Sequence, residues 1–379
     1  MTATVKIDVK ESLLASLRAF FKQVLELDPI SALFIPQRLP MKNMVMPALV
    51  TDPEKLAYCD PLAPAFPLNA ARVVARMTRR PTGQKIAVVL RPCEMRAFVE
   101  LVKLKQGLTD EIVLIGIDCL GAYANKDYFK FVETAGEDST AAFLQTALGQ
   151  GTGPADDFQL ASACRVCEFF TPAMADIQIG IFGMDTTREI LVQANTAKGT
   201  DLVAGLNLAE AELPPGRREA IDTLLKKRTA DRDALFAATS AATDNIEKLT
   251  TYLAHCINCY NCRVACPVCY CKECVFVTDV FDHDPAQYLQ WSRRKGAIKM
   301  PTDTVFYHLT RLAHMSTACV GCGQCSNACP NDIPVMELFR TVAHQTQLAF
   351  DYQAGRALDE KPPLSEFKED EFQEVVGIN

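Results

Sequence analysis

The 379-residue chain has a single tryptophan and five histidines, so a site built on several imidazoles is not the obvious reading. It lacks an excess of basic charge: the formal net charge is −7, which gives no reason to expect nucleic acid as a partner. No stretch approaches the roughly 20 apolar residues that a membrane helix needs. Met1 to Lys10 alternates charged and apolar residues without an apolar h-region, so no secretory signal is expected. No G-x-G-x-x-G follows the first clear strand, and no acid/base pair or metal-centred catalytic triad stands out. What the chain has in abundance is cysteine, sixteen in all. In a chain of this composition they read as metal ligands in a reducing compartment, here the cytoplasm, rather than as a disulfide framework.

Eight of them form two copies of one pattern. Cys256, Cys259, Cys262 and Cys266-Pro267 repeat as Cys319, Cys322, Cys325 and Cys329-Pro330, each C-x2-C-x2-C-x3-C-P. That run wraps a cubane [4Fe–4S] cluster, and in two-cluster ferredoxins its fourth cysteine ligates the other cluster. The expected sets are therefore Cys256, Cys259, Cys262 and Cys329 on one cluster, and Cys319, Cys322, Cys325 and Cys266 on the other. Structural zinc favours paired C-x2-C or Cys/His mixtures instead. Between the repeats, Cys269, Cys271 and Cys274 exceed what two cubanes require and stay unassigned. Residues 275–318 form an insertion with Trp291, an Arg293-Arg294-Lys295 run, His308 and His314, the histidines being expected as structural residues.

The amino-terminal part reads as α/β. Residues 11–27 have helical spacing and end at Asp28-Pro29. Residues 30–68 are Pro-rich and irregular, with short pieces (32–36 and 44–50) that could be strands and a lone Cys59 expected as a buried apolar residue. A short helix over 69–78 precedes a strand at Lys85–Leu90, a helix at 93–105 and a strand at 111–118, a βαβ unit with parallel strands. Residues 175–180 read as another strand, 131–155 as a helix plus loop, 189–208 as a strand pair broken at Lys198-Gly199, and 211–255 as helical. Cys93 and Cys119 fall at the carboxyl ends of the parallel strands, the edge where open α/β sheets bind ligands. Cys164 and Cys167 form a C-x2-C loop that could reach the same edge. Four cysteines suffice for a third cubane; four unrelated buried thiols remain an alternative on spacing alone.

These readings give an α/β domain with a mostly parallel sheet at 1–245 and an α+β ferredoxin-like two-[4Fe–4S] domain at 246–345, followed by an acidic tail at 346–379 that reads as a solvated arm after Gln353. The segments Arg91-Pro92-Cys93, Gly116-Ile117-Asp118-Cys119 and Cys164-Arg165-Val166-Cys167-Glu168-Phe169, with Ala175 to Gly180, resemble the beta subunits of coenzyme F420-reducing hydrogenases and F420-dependent formate dehydrogenases. Trp291 and the stretch from Arg311 to Pro330 resemble the ferredoxin part of the formate dehydrogenase subunits. That resemblance implies an electron-transfer oxidoreductase subunit that binds FAD in its α/β domain. It also implies that Cys93, Cys119, Cys164 and Cys167 hold a flavin-proximal [4Fe–4S] cluster. Asn69 and Arg91, by position near the ligand edge, become candidate flavin contacts. Catalytic and electron-transfer subunits of a larger redox complex would be the partners. A flavin-free relay in a heterodisulfide-reductase-type complex is the alternative, and a scaffold that has lost its cofactors a weaker third.

Overall fold

The computed structural model describes residues 3–40, 44–149 and 158–366. An eight-stranded mixed sheet has the order β3-β2-β4-β5-β6-β7-β1-β8. Its strands are β1 (Ala3–Asp8), β2 (Ile30–Arg38), β3 (Val45–Val50), β4 (Lys85–Leu90), β5 (Ile112–Ile117), β6 (Ile177–Gly180), β7 (Glu189–Ala194) and β8 (Ala209–Glu210). The centre is parallel: β2 pairs with β4, β4 with β5, and β5 with β6 in the same direction. The flanks are antiparallel, β3 on β2 and β7, β1 and β8 on the other side.

Helices cover both faces. Helix α1 (Leu13–Glu26) starts where Ser12 accepts the Ala15 N–H at 3.1 Å, and it buries Leu17, Phe20, Phe21 and Val24. Helix α2 (Ala71–Met77) and α3 (Pro92–Lys103) pack on the opposite face. The N–H groups of Ala70 and Arg91 both donate to the buried Glu94 carboxylate, at 2.8 and 2.9 Å, and Pro92 sets the first turn. These bonds lock α3 to α2 and place Cys93 in the first turn of α3, directly past β4. Helices α4 (Asn125–Ala135), α5 (Ser139–Ala147), α6 (Ser162–Arg165) and α7 (Ala197–Gly205) complete the α/β part.

The strand residues alternate between two cores, as period-two geometry requires. Leu33, Ile35, Ala87, Val89, Val113 and Ile115 face the α1 side. Phe34, Val88, Leu90 and Leu114 face α2 and α3, in a core that continues without a break into Leu249, Tyr307, Leu338 and Phe339 of the cysteine-rich part. The helices after β8 are α8 (Pro215–Thr243), α9 (Ile246–Tyr252), α10 (Asn261–Ala265), α11 (Pro285–Lys295), α12 (Thr304–Met315), α13 (Gln324–Asn327) and α14 (Val335–Ala349).

Three readings change. Residues 3–8 add a strand between β7 and β8, antiparallel to both, with Val5 buried and residues 3, 4, 6 and 7 half-buried. The second half of 189–208 is a helix, because Thr196 caps it by accepting the Gly199 N–H and Gly199 must lie against the Asp176 carbonyl, where a Cβ would stand 2.1 Å from the oxygen. The chain after Gln353 is not a free arm throughout: Ala354 is buried and the Gly355 N–H donates to Glu100 at 2.7 Å. Residues 367–379 lie outside the described part.

Gly116, in β5, leaves room for a crossing loop: a Cβ there would stand 2.2 Å from Pro172 Cβ and 2.9 Å from Met95 Cε. Both neighbours sit in packed positions, so overpacking strain of about 1–3 kcal/mol follows from Gly116→Ala. Thermal unfolding should show a lowered Tm for that variant; an unchanged Tm would mean that the 170–175 loop moves freely.

Candidate iron–sulfur centres

The two C-x2-C-x2-C loops are built alike. In the first, Asn258 and Tyr260 have φ of +51° and +59°; in the second, Gly321 and Gly323, at the matching positions, have φ of +69° and +79°. Each loop therefore reverses twice through the left-handed region, then enters a short helix, α10 or α13. The second loop needs glycine for space as well. A Cβ on Gly321 would meet Arg340 Cδ at 2.8 Å, and one on Gly323 would meet Ala163 Cβ at 2.5 Å. Gly323 thus lets the second loop lie against α6, which carries Cys164.

Three groups of thiols result. Cys256, Cys259, Cys262 and Cys329 line one cavity together with Tyr307, His308, Ile333 and Val335. Cys266 stands with Cys319, Cys322 and Cys325: burial pushes the Cys325 thiol well up, and the charges of Cys322, Cys266 and Cys319 act on it. The fourth cysteine of each run is therefore grouped with the other run's triplet. At the carboxyl edge of the sheet, burial raises Cys93, with Cys322, Glu94, Cys119 and Cys167 adding to the rise. Cys164 goes up to about 12, through burial first and then Cys119 and Cys167. Cys93, Cys119, Cys164 and Cys167 are thus brought together from α3, the end of β5 and α6. The Cys119 N–H donates to the Phe170 carbonyl at 2.7 Å, which ties two of the contributing segments.

All sixteen cysteines are free. Among the described residues no three His, Cys, Asp or Glu side chains converge as a site for a single metal ion. Groups of four thiols suit a cubane, whose irons are ligated at its corners by four cysteines. Buried neutral thiols would gain from that use, since ligation needs the thiolate and iron supplies the compensating charge.

The cavity of the Cys256 group is tuned by one helix. Arg311 Nη1 donates to Cys262 Sγ at 3.1 Å and its Nη2 to the Cys262 carbonyl at 3.2 Å. Tyr307 Oη lies 3.4 Å from Cys262 Sγ, and His308 Nε2 lies 3.4 Å from Cys256 Sγ. Positions 307, 308 and 311 fall on one face of α12 by helical spacing. Burial opposes the Arg311 charge, but Cys262, then Tyr307 and Cys266, hold it above the usual range. Burial, with Arg311 and Lys299, lowers His308 to about 4, so the ring is neutral at pH 7. His308 touches a candidate ligand without belonging to the thiol sets, and His314 is on the exposed side of the same helix.

The remaining predicted positions are plainly placed. Asn69 Oδ1 accepts the Ala71 N–H at 3.1 Å, and its side chain lies beside the Cys322 thiol, with Nδ2 buried and without a hydrogen-bond partner among the described residues. Arg91 lies at the sheet edge, but its Nη2 already donates to the Ala63 and Ala65 carbonyls at 2.9 and 2.6 Å. The cleft it lines with Asp118, Cys119 and Leu62 has about 30 Å³ of water-accessible space. That is room for about two waters and not for an isoalloxazine ring. Cys59 is fully buried, its thiol raised to about 12 by burial, and it lies apart from the three groups. Cys269 sits beside Cys266, whose carbonyl accepts its N–H at 3.3 Å, while Cys271 is exposed.

Residues 83–213 match the family model for the carboxyl-terminal part of the coenzyme F420 hydrogenase/dehydrogenase beta subunit, and residues 251–333 match the "4Fe-4S dicluster domain" model. The chain resembles beta subunits of F420 hydrogenases and dehydrogenases. The F420-dependent formate dehydrogenase subunit beta of Methanocaldococcus jannaschii is 25% identical over 343 residues, covering 84% of this chain and 85% of that protein. The F420-dependent formate dehydrogenase 1 subunit beta of Methanococcus maripaludis is 28% identical over 306 residues, covering 74% and 75%. A chain of the F420-reducing [NiFe] hydrogenase complex from Methanosarcina barkeri aligns at 14% identity with a TM-score of 0.46, covering 65% of this chain and 94% of that one. The dicluster match falls on both cysteine runs, so this F420-beta-like chain carries iron–sulfur clusters in residues 251–333. Among the described residues no helix is long and apolar enough to cross a membrane.

Sequence reasoning did not find Arg311, Tyr307 or Asn69 as neighbours of cysteine sulfur. The i, i+1, i+4 spacing on α12 was the available signal; Asn69 carried none, being some 250 residues from Cys322.

Proposed function

We propose that this chain is an electron-transfer subunit of an F420-linked oxidoreductase complex, holding three [4Fe–4S] clusters in a row. Cys93, Cys119, Cys164 and Cys167 would hold the first, Cys266, Cys319, Cys322 and Cys325 the second, and Cys256, Cys259, Cys262 and Cys329 the third. The observation that carries this reading is the contiguity of the groups. Gly323, between Cys322 and Cys325, packs on Ala163 beside Cys164, and α10 joins Cys262 of one set to Cys266 of another, which supports a Cys322 group in the middle of the row.

A bound [4Fe–4S] cluster accepts and gives up one electron at a time, at a potential set by burial and by hydrogen bonds to sulfur. The chain's own residues hold and shield these sites. Phe339 and Tyr307 close over the Arg311 guanidinium, 4.6 and 5.5 Å from their ring centroids. Beside Cys167, Arg96 lies 3.7 Å from the Phe169 ring centroid. Burial would raise the Glu168 carboxyl, but Arg340, with Arg232 and Arg96, holds it below the usual carboxylate range. Glu168 and Arg340 pair directly, pinning the loop after Cys167 to α14.

The names of the relatives and of the matched family model support F420-linked formate or hydrogen chemistry, which would reside in partner subunits, and the free thiols fit a cytoplasmic setting. FAD rests on the family resemblance alone. The small cleft beside Arg91 favours the flavin-free relay as a second reading. Protein purified without oxygen should carry about twelve irons per chain, by the formula of three cubanes. About eight irons would remove the Cys93 group from the proposal, and a flavin band in the visible spectrum would decide between the two readings.

A further inference from the structure

A second cleft, away from the sheet edge, lies where α2 meets α10 and the Cys269–Lys272 loop. It has about 350 Å³ of open space, within the range of small-molecule sites. Four arginines and a lysine line it: Arg72, Arg76, Arg79, Arg263 and Lys272. No acidic residue lines it, although the chain as a whole carries a charge of −7. None of the five cations forms an ion pair among the described residues.

Two further observations make this a built site rather than a basic patch. Arg263 Nε is buried and has no hydrogen-bond partner, so a donor has been desolvated with nothing in the chain to receive it. Arg72 Nη1 donates to the Val264 carbonyl at 2.9 Å, which fixes α2 against α10 and holds the two cationic walls at a set spacing. Arg72, Arg76 and Arg79 recur at helical spacing along α2 and the residues just past it, so they present a row of guanidinium forks to one side. Forks of this kind match phosphate and carboxylate oxygens in pairs. Tyr270, partly exposed, adds an aromatic face to the same cleft.

We propose that this cleft binds a small ligand carrying two or more linked phosphate groups, with its planar or apolar portion against Tyr270. A single phosphate would neutralise only part of the row, whereas a chain of them spans it. The site is adjacent to the second thiol group through Cys269, whose N–H is bonded to the Cys266 carbonyl. It is separate from the Arg91 cleft and stands independently of the electron-transfer reading.

The test is calorimetric titration of the full cluster-loaded protein with pyrophosphate, ADP and inorganic phosphate, at low and high salt. Saturable binding of pyrophosphate and ADP, tighter than phosphate and weakened by salt, is expected. Arg76→Gln combined with Arg79→Gln removes two exposed cations without touching the core, and should weaken ADP by about tenfold or more with iron content unchanged. The control Arg218→Gln/Lys226→Gln, two exposed cations on α8, should leave binding as in the wild type. The proposal is overturned by no saturable binding of either phosphate chain, by equal affinity in the Arg76/Arg79 variant, or by binding that appears only with an acidic polypeptide such as polyglutamate.

Discussion

In a Cys329→Ser variant, the EPR signal that disappears should be the one lost in Cys256→Ser, and not the one lost in Cys325→Ser. Sequence proximity argues the opposite, since Cys329 follows Cys325 by four residues and Cys256 by more than seventy. The expectation follows from the proposed grouping, since Cys329 lines the cavity of Cys256, Cys259 and Cys262. The reciprocal pair is Cys266→Ser with Cys322→Ser. Each serine should lower the iron content by about four per chain, one cubane. Stability should fall by several kcal/mol as well, since ligation free energy is folding free energy in such sites. Power-saturation EPR on the reduced protein reads the pairing directly, and loss of the Cys325 signal in Cys329→Ser would reverse the assignment.

Arg311→Leu should lower the reduction potential of the Cys256 group's centre without removing it. A guanidinium beside sulfur favours the more negatively charged, reduced state, so its loss makes reduction harder. A hydrogen bond to a charged group contributes roughly 1.5–3 kcal/mol, of which only the difference between redox states moves the potential. With 59 mV for a tenfold one-electron change, the shift should be on the order of 50–100 mV downward. Potentiometric titration followed by EPR measures it. Lys at the same position restores charge but not the fork that reaches both Cys262 Sγ and its carbonyl, so recovery should be partial. An unmoved potential in the leucine variant, with iron retained, would mean that the guanidinium has no influence on that centre.

What was legible in the sequence followed from local chemistry. The two cysteine runs are dense and periodic, and β4 and β5 are continuous apolar runs, the mark of strands buried on both faces. Cys93 and Cys119 could be put on one edge because a βαβ unit leaves both strand ends on the same side. What was missed depends on partners far off in the chain. Residues 3–8 are a strand only because β7 and β8 lie on either side. The helix at 197–205 is decided by a threonine cap and one glycine against a carbonyl, a signal weaker than the valine and leucine run that precedes it. Arg96 looks like an ordinary surface residue of a helix, yet it is buried and donates to the Val320 and Ala354 carbonyls, more than 220 residues away. The phosphate cleft likewise joins an arginine row near residue 75 to a loop near residue 270, and neither half is distinctive alone.

The crossed membership of Cys266 and Cys329 has a mechanical result. Each thiol set draws from both runs, so the two halves of this region are threaded through one another like links rather than set side by side. Neither lobe can be excised and still present four thiols, and a chelator that strips iron from one should loosen its neighbour in the same transition.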